Sequence, residues 1–104
     1  SNVAVISVSS GTKIVVTHIA VTADGANSAD VQCRIGFGTA NTPGNDAAKV
    51  LLSHPGIKAG SGIVLGNGGG ILGIGADDED LRITCEDPTG GALDIVVGYY
   101  TIES

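Results

Sequence analysis

The chain is poor in aromatic residues. Its 104 residues include one Phe, two Tyr and no Trp. Proteins that bind sugars on a flat platform stack aromatic rings against them, and here only Tyr100 is expected to be exposed for that purpose. Aromatic stacking on a carbohydrate is therefore disfavoured. Polar contacts between loops and a glycan stay open, with residues 41–46 and 67–70 as the candidate loops.

Positive charge and long apolar runs are also scarce. Five Lys and Arg residues against eleven Asp and Glu residues give a net charge of −6, and the five basic residues are scattered along the chain. Proteins that bind nucleic acid cluster basic residues on one face, so we expect no nucleic-acid partner. No run approaches the roughly 18 apolar residues of a membrane-spanning helix, so we expect no membrane insertion.

Motifs that carry catalytic or metal chemistry are weak or missing. Residues 68–73 match GxGxxG, but Gly73 and Gly75 break the segment where a dinucleotide site needs a helix. The acidic run at residues 77–80 lacks the ligand order of an EF-hand, and we interpret it as a solvated loop rather than a Ca²⁺ site. GxSxG, CxxC and HxxxH patterns are absent. We therefore expect no enzymatic activity, no cofactor and no metal.

What the chain does contain is alternation of apolar and polar residues in eight short runs. Turn-forming residues separate these runs at intervals of roughly ten residues, which is typical of an all-β sandwich. A stop at residues 54–56 ends the fourth run, and the only helical turn expected is a short one at residues 76–80. We predict a single domain over residues 1–104 with an all-β fold: a two-sheet antiparallel β-sandwich of about eight strands, of jelly-roll or related Greek-key type. The predicted strands cover residues 3–8, 13–22, 30–38, 49–53, 62–65, 70–74, 80–86 and 92–102.

Two cysteines, Cys33 and Cys85, are predicted to point into the core. By alternation Cys33 shares a strand face with Ile35 and Phe37, and Cys85 shares a face with Leu81. We expect reduced thiols that act as small hydrophobic residues. The alternative is a disulfide, which closes a loop of about 50 residues and requires the two Cα atoms to lie within about 7 Å.

The closing strand, residues 92–102, is apolar on both faces. We assign one row to the core of the sandwich: Leu93, Ile95, Val97 and Tyr99. A domain of this size has only one core, so the other row needs a partner, and we predict that the partner is a further copy of the chain. The second strand contributes an outer row of its own, and if three copies meet about an axis on that face, His18 is expected near the axis. The predicted oligomer interface comprises Ile14, Val16, His18, Val96, Tyr100 and Ile102.

The order of segments along the chain resembles small β-sandwich domains on the virion surface of tailed bacteriophages and gene-transfer particles. The resemblance rests on KVLLS at residues 49–53, on the Gly-rich segment at residues 60–86, and on GALDIVVGYYT at residues 91–101. Within these segments, residues 76–84 and 92–101 are the most similar. They occupy core and turn positions, so the resemblance transfers no functional residue.

The resemblance implies a non-enzymatic structural protein: a capsid decoration protein, a head fibre, a spike component or a fibre knob. Such proteins are typically homotrimers that contact other virion proteins. They are synthesised in the bacterial host cytoplasm and act on the virion surface. The alternative function is that of an adhesin module, which uses its loops to bind a glycan or another receptor on the host surface.

Overall fold

The computed structural model of the protein describes residues 2–38, 49–66 and 69–103. These ranges contain no α-helix, and their strands pair into two antiparallel sheets of four strands each that stack as a β-sandwich. The predicted all-β sandwich is confirmed. Within the same ranges, no helix has the length and apolar character needed to cross a membrane. The strands are β1 (Asn2–Ile6), β2 (Thr12–Ala23), β3 (Val31–Gly38), β4 (Val50–Ile57), β5 (Gly62–Gly66), β6 (Gly73–Ile74), β7 (Asp80–Cys85) and β8 (Leu93–Glu103).

The two sheets differ in how their strands are arranged. Sheet I has the order β1-β7-β3-β4. Sheet II is built around β2, which pairs with β8 along its whole length, from Thr12 to Ala23. On its other edge, β2 pairs first with β6 and then with β5, so these two short strands share that edge. Among the described strands, β8 is therefore the outermost on its side of sheet II.

The core lies between the facing sides of the two sheets. Residues two apart on a strand point to the same side, so each strand contributes an alternating row of side chains. Burying each large apolar side chain contributes about 1.5–3 kcal/mol to folding. The buried cluster consists of Ile14, Val16, Ile19, Val21, Ala23, Cys33, Ile35, Phe37, Leu52, Ile57, Leu81 and Cys85.

The ring of Phe37 on sheet I packs against the backbone of β6 and the residue that follows it. A Cβ atom added to Gly75 would lie 2.8 Å from Cδ1 of Phe37, and one added to Gly73 would lie 3.5 Å from Cε2. Glycine at these positions lets the backbone of sheet II approach the ring. This contact brings the two sheets together at β6.

A β-bulge at Thr17 changes the alternation of β2. Val16 pairs with Tyr99 and His18 pairs with Gly98, so that Thr17 is an extra residue opposite β8. Because of the bulge, the inward-facing residues of β2 are even-numbered before Thr17 and odd-numbered after it. As a result Ile14 and Val16 lie in the core with 0% exposure. Their predicted place on the outer face is wrong, because the prediction continued a strict period of two through the bulge.

Cys33 and Cys85 form a disulfide between β3 and β7. The two residues are direct cross-strand partners, their Cα atoms are 4.0 Å apart, and both are buried. The predicted orientation toward the core is confirmed. The expectation of reduced thiols is wrong, because the register of sheet I places the two side chains opposite each other.

The fourth strand does not end where the turn residues predicted. β4 continues through Pro55 to Ile57 instead of ending before His54. Pro lacks an N–H group and is tolerated in a strand that has a free edge, which β4 has at the margin of sheet I. At residues 76–80 the expected helical turn is a turn in which Asp78 has a φ of 60°.

Candidate interaction surface

The solvent-facing side of sheet II is the candidate functional surface. We call it the outer face, and it consists of the side chains that the strand register places opposite the core. Ile74, Val15 and Tyr100 form one cross-strand row, and Val64, Ala20 and Val96 form another. The outer face comprises Lys13, Val15, His18 and Ala20 of β2, Val64 of β5, Ile74 of β6, and Val96, Tyr100 and Ile102 of β8. Val15 lies on this side of the sheet by register, but it is only 1% exposed.

Apolar exposure is concentrated on this face. In the part of the chain that the structure describes, eight large hydrophobic side chains are exposed, and five of them belong to the outer face. Val64 is 65% exposed and Val96 is 57% exposed. Single exposed apolar residues are ordinary on protein surfaces, but a contiguous apolar patch marks an interaction site. The five residues are Val64, Ile74, Val96, Tyr100 and Ile102.

His18 lies over Gly98 near the centre of the outer face. A Cβ atom added to Gly98 would lie 2.2 Å from Nδ1 of His18 and 3.0 Å from Oγ1 of Thr17. The absence of a side chain on β8 therefore provides the space that the imidazole ring occupies. His18 is consequently only partly exposed, and it lies between the two apolar cross-strand rows.

The structure places four of the six predicted interface residues on the outer face: His18, Val96, Tyr100 and Ile102. Ile14 and Val16 belong to the core instead. Tyr99, which was assigned to the core, is 49% exposed although it lies on the inward side of β8. The bulge and the pairing of the short strands account for the members that the sequence prediction missed: Val15, Val64 and Ile74.

A cleft of about 540 Å³ opens between the sheets at the β6 edge. Phe37, Leu51 and Leu72 supply apolar walls, and Lys13 and Lys49 supply positive charge. Glu79 lies in the same cleft and is only 6% exposed. Its carboxylate accepts hydrogen bonds from the Lys49 ammonium group at 2.5 Å and from the backbone N–H of Ala76 at 3.0 Å. These contacts give Glu79 a structural role that ties the turn before β7 to the residue before β4.

The acidic run at residues 77–80 is predicted to be a solvated loop, but only part of it is solvated in the structure. Glu79 is buried, and Asp77 accepts a hydrogen bond from the backbone N–H of Gly11 at 2.7 Å. Asp80 lies 3.7 Å from Arg82. Asp78 is exposed. Among the described residues, no three His, Cys, Asp or Glu side chains are grouped so that they could hold a metal ion.

The remaining candidate positions contribute less to a site. His54 lies in β4, and its Nδ1 accepts a hydrogen bond from the backbone N–H of Gly56 at 3.1 Å. The GxGxxG match leads into β6 and a turn rather than into a helix. Of the loops considered for glycan binding, residues 41–46 lie outside the described residues, and so do residues 67 and 68.

No protein-family model, no curated protein and no solved structure matches this chain. The resemblance to virion proteins therefore stays a prediction from the sequence.

Proposed function

We propose that the protein is a non-enzymatic structural component that assembles with copies of itself by burying the outer face of sheet II. The observation that supports this proposal best is the grouping of Val64, Val96 and Tyr100 with other exposed apolar residues on one face. Apolar residues scattered singly over a surface do not indicate a partner. A contiguous apolar patch does, because burying the patch against a partner removes it from water and lowers the free energy.

The energy available from this face suits specific self-association. Complete burial of a large apolar side chain is worth about 1.5–3 kcal/mol, and the five residues of the patch start about half exposed. Burying the exposed half gives about 1 kcal/mol for each, or about 5 kcal/mol per subunit. In a twofold contact both subunits use the same surface, so each of the two copies makes this contribution.

The place of action that we propose is the surface of a phage-like virion, where the protein acts as a decoration, head-fibre or spike component. The resemblance at residues 60–86 and 91–101 supports this class and implies a homotrimer with contacts to other virion proteins. The Cys33–Cys85 disulfide supports a location outside the reducing cytosol, because disulfides persist on virion and cell surfaces.

Measuring the mass of the protein in solution tests whether it self-associates. Size-exclusion chromatography with light scattering should give a multiple of the 10.2 kDa chain mass at high micromolar concentration. Val96→Asp should release monomers, because an unpaired charge buried in the contact costs several kcal/mol. Val5→Asp is the matched control, since Val5 is 40% exposed on β1 and lies outside the outer face. A monomer for the unchanged protein at this concentration contradicts the proposal.

The Val96→Asp variant also distinguishes the adhesin alternative from this proposal. Glycan binding by the loops around residues 41–46 and 67–70 does not require the outer face. Binding on a glycan array that persists in the Val96→Asp monomer would favour the adhesin. An array without hits, together with a defined oligomer, favours the structural component.

A further inference from the structure

The outer edges of the two sheets are protected to different degrees. An edge strand presents unpaired N–H and C=O groups, and proteins protect such edges with short strands, bulges, prolines or charges. On sheet I, β1 has only five residues and contains a register shift after Ala4. β4 carries Pro55 and two register shifts. On sheet II, the edge opposite β8 is divided between β5 and the two-residue β6.

β8 has none of these protections. It is an 11-residue strand, its register shows no extra residue on its own side, and it contains neither proline nor a basic residue. Its two acidic residues, Asp94 and Glu103, lie near its ends. No described strand pairs with its outer edge. A long, regular and mostly apolar edge of this kind is a template for pairing with another strand.

The hydrogen bonds next to β8 show which of its backbone groups face outward. The C=O of Ala92 accepts a hydrogen bond from the N–H of Asp24 on the β2 side at 3.0 Å. Backbone groups of successive residues point to opposite edges of a strand, so the even-numbered residues of β8 face β2. The N–H and C=O groups of the odd-numbered residues therefore point away from the sheet: Leu93, Ile95, Val97, Tyr99, Thr101 and Glu103.

We infer that the outer edge of β8 pairs antiparallel with β8 of a second copy, so that two sheets II join into one continuous sheet about a twofold axis. The inference rests on the proposed self-assembly and adds an edge contact to the burial of the outer face. A second copy is the expected partner because β8 is complementary to itself when two copies run antiparallel. In the register that overlaps all eleven residues, Gly98 lies opposite Gly98 of the second copy, and each outward-facing residue meets an outward-facing one.

The side chains also agree with this register. Val96 lies opposite Tyr100 of the second copy, which is an aromatic and β-branched pair of the kind that stabilises sheets. Asp94 lies opposite Ile102, and Glu103 lies opposite Leu93, so no two carboxylates face each other directly. The pairing also joins the row of Ile74, Val15 and Tyr100 to the second copy's row of Val96, Ala20 and Val64.

This geometry makes the outer face of the pair continuous and twice as large. Stacking of two such pairs through their outer faces then gives a tetramer, while the edge contact alone gives a dimer. An even number of subunits is thus expected, in place of the homotrimer that the resemblance implies. The twofold axis passes between the Gly98 residues, so His18 lies one strand away from it.

Amide hydrogen exchange on the unchanged protein tests the edge pairing directly. The N–H groups of Ile95, Val97, Tyr99 and Thr101 should exchange at least about tenfold more slowly in the assembly than after dilution to monomers. The N–H groups of Asp94, Val96 and Gly98, which face β2, should be protected in both states. Rapid exchange of the outward groups at a concentration where light scattering shows an oligomer overturns the edge pairing and leaves the proposed function standing.

A pair of variants at Thr101 gives a second test. Thr101 is exposed, and Thr101→Pro removes its outward N–H while the β2 hydrogen bonds stay in place. In the overlapping register this deletes two intersubunit hydrogen bonds, so the Kd of the assembly should rise about tenfold or more. Thr101→Val keeps the N–H and should leave the Kd within about threefold. Circular dichroism of the diluted variants establishes that both are folded.

The combined outcomes separate the two proposals. A trimer, or equal Kd values for folded Thr101→Pro and Thr101→Val, overturns the edge pairing but not self-assembly. A monomer at all concentrations overturns both. An even-numbered oligomer with protected outward amides and a weakened Thr101→Pro assembly supports the edge pairing.

Discussion

Reduction of the Cys33–Cys85 disulfide should lower the free energy of unfolding by about 4 kcal/mol. The cross-link joins residues that are 52 positions apart, which is half of the chain. In the loop-closure treatment, a link of this length removes about 14 cal/mol/K of entropy from the unfolded chain, or about 4 kcal/mol at 25 °C. Domains of this size are stable by about 5–15 kcal/mol, so the loss is a large part of the total.

Urea unfolding of the oxidised and the reduced protein measures this difference. With slopes of about 1–3 kcal/mol per M, the midpoint should fall by at least about 1 M, and the melting temperature should fall by about 20 °C. Both samples need the same protein concentration and the same oligomeric state, because association adds to apparent stability. The Cys33→Ala/Cys85→Ala variant should not respond to reductant. Free energies that differ by less than about 1 kcal/mol would refute the loop-closure argument for this chain.

Two glycines give further predictions about stability. Gly98→Ala should destabilise the fold by about 1–2 kcal/mol, because the added Cβ would lie 2.2 Å from Nδ1 of His18. In a double-mutant cycle, the same change made in the His18→Ala variant should cost at most half as much. Gly75→Ala should cost about 1–3 kcal/mol, because its Cβ would lie 2.8 Å from the buried ring of Phe37. Gly70→Ala is the matched control for both, since no atom lies within 4 Å of its added Cβ, and its unfolding free energy in urea should change by less than about 0.5 kcal/mol. A Gly75→Ala variant as stable as Gly70→Ala would contradict the packing argument, and so would a Gly98→Ala loss that His18→Ala leaves unchanged.

The strands could be predicted from the sequence because their signals are local. Alternation and turn residues indicate eight strands, and the described residues contain eight. The end of β4 could not be predicted in this way. Pro55 reads as a stop by itself, and it is tolerated only because β4 lies at the margin of sheet I, which is a property of the whole sheet.

The inner and outer sides of β2 could be predicted only in part, for a similar reason. The bulge at Thr17 follows from how β2 fits against β8, and the sequence of β2 does not show where an extra residue will lie. Before that point the odd residue Val15 faces outward, and after it the even residues His18 and Ala20 do. A strict period of two therefore assigned one half of the strand correctly and reversed the other.

The disulfide illustrates a further limit. Alternation was sufficient to place Cys33 and Cys85 on the core side, since this depends only on each strand by itself. Whether the two thiols meet depends on which strands are neighbours and on their register. β3 and β7 are far apart in the chain but adjacent in sheet I, and their pairing brings the two residues opposite each other. Sequence spacing carries none of this information.

The division of features between the two sheets makes folding and assembly separable by experiment. The cross-link lies in sheet I, whose edges are short, bulged or interrupted by Pro55. The outer face and the β8 edge both belong to sheet II. Changes at distant sites without shared partners are close to additive, so reduction of the disulfide should weaken folding equally in Thr101→Pro and Thr101→Val. A difference in Kd between these two variants then reports on the contact between subunits, because any effect on folding would also appear in their diluted monomers.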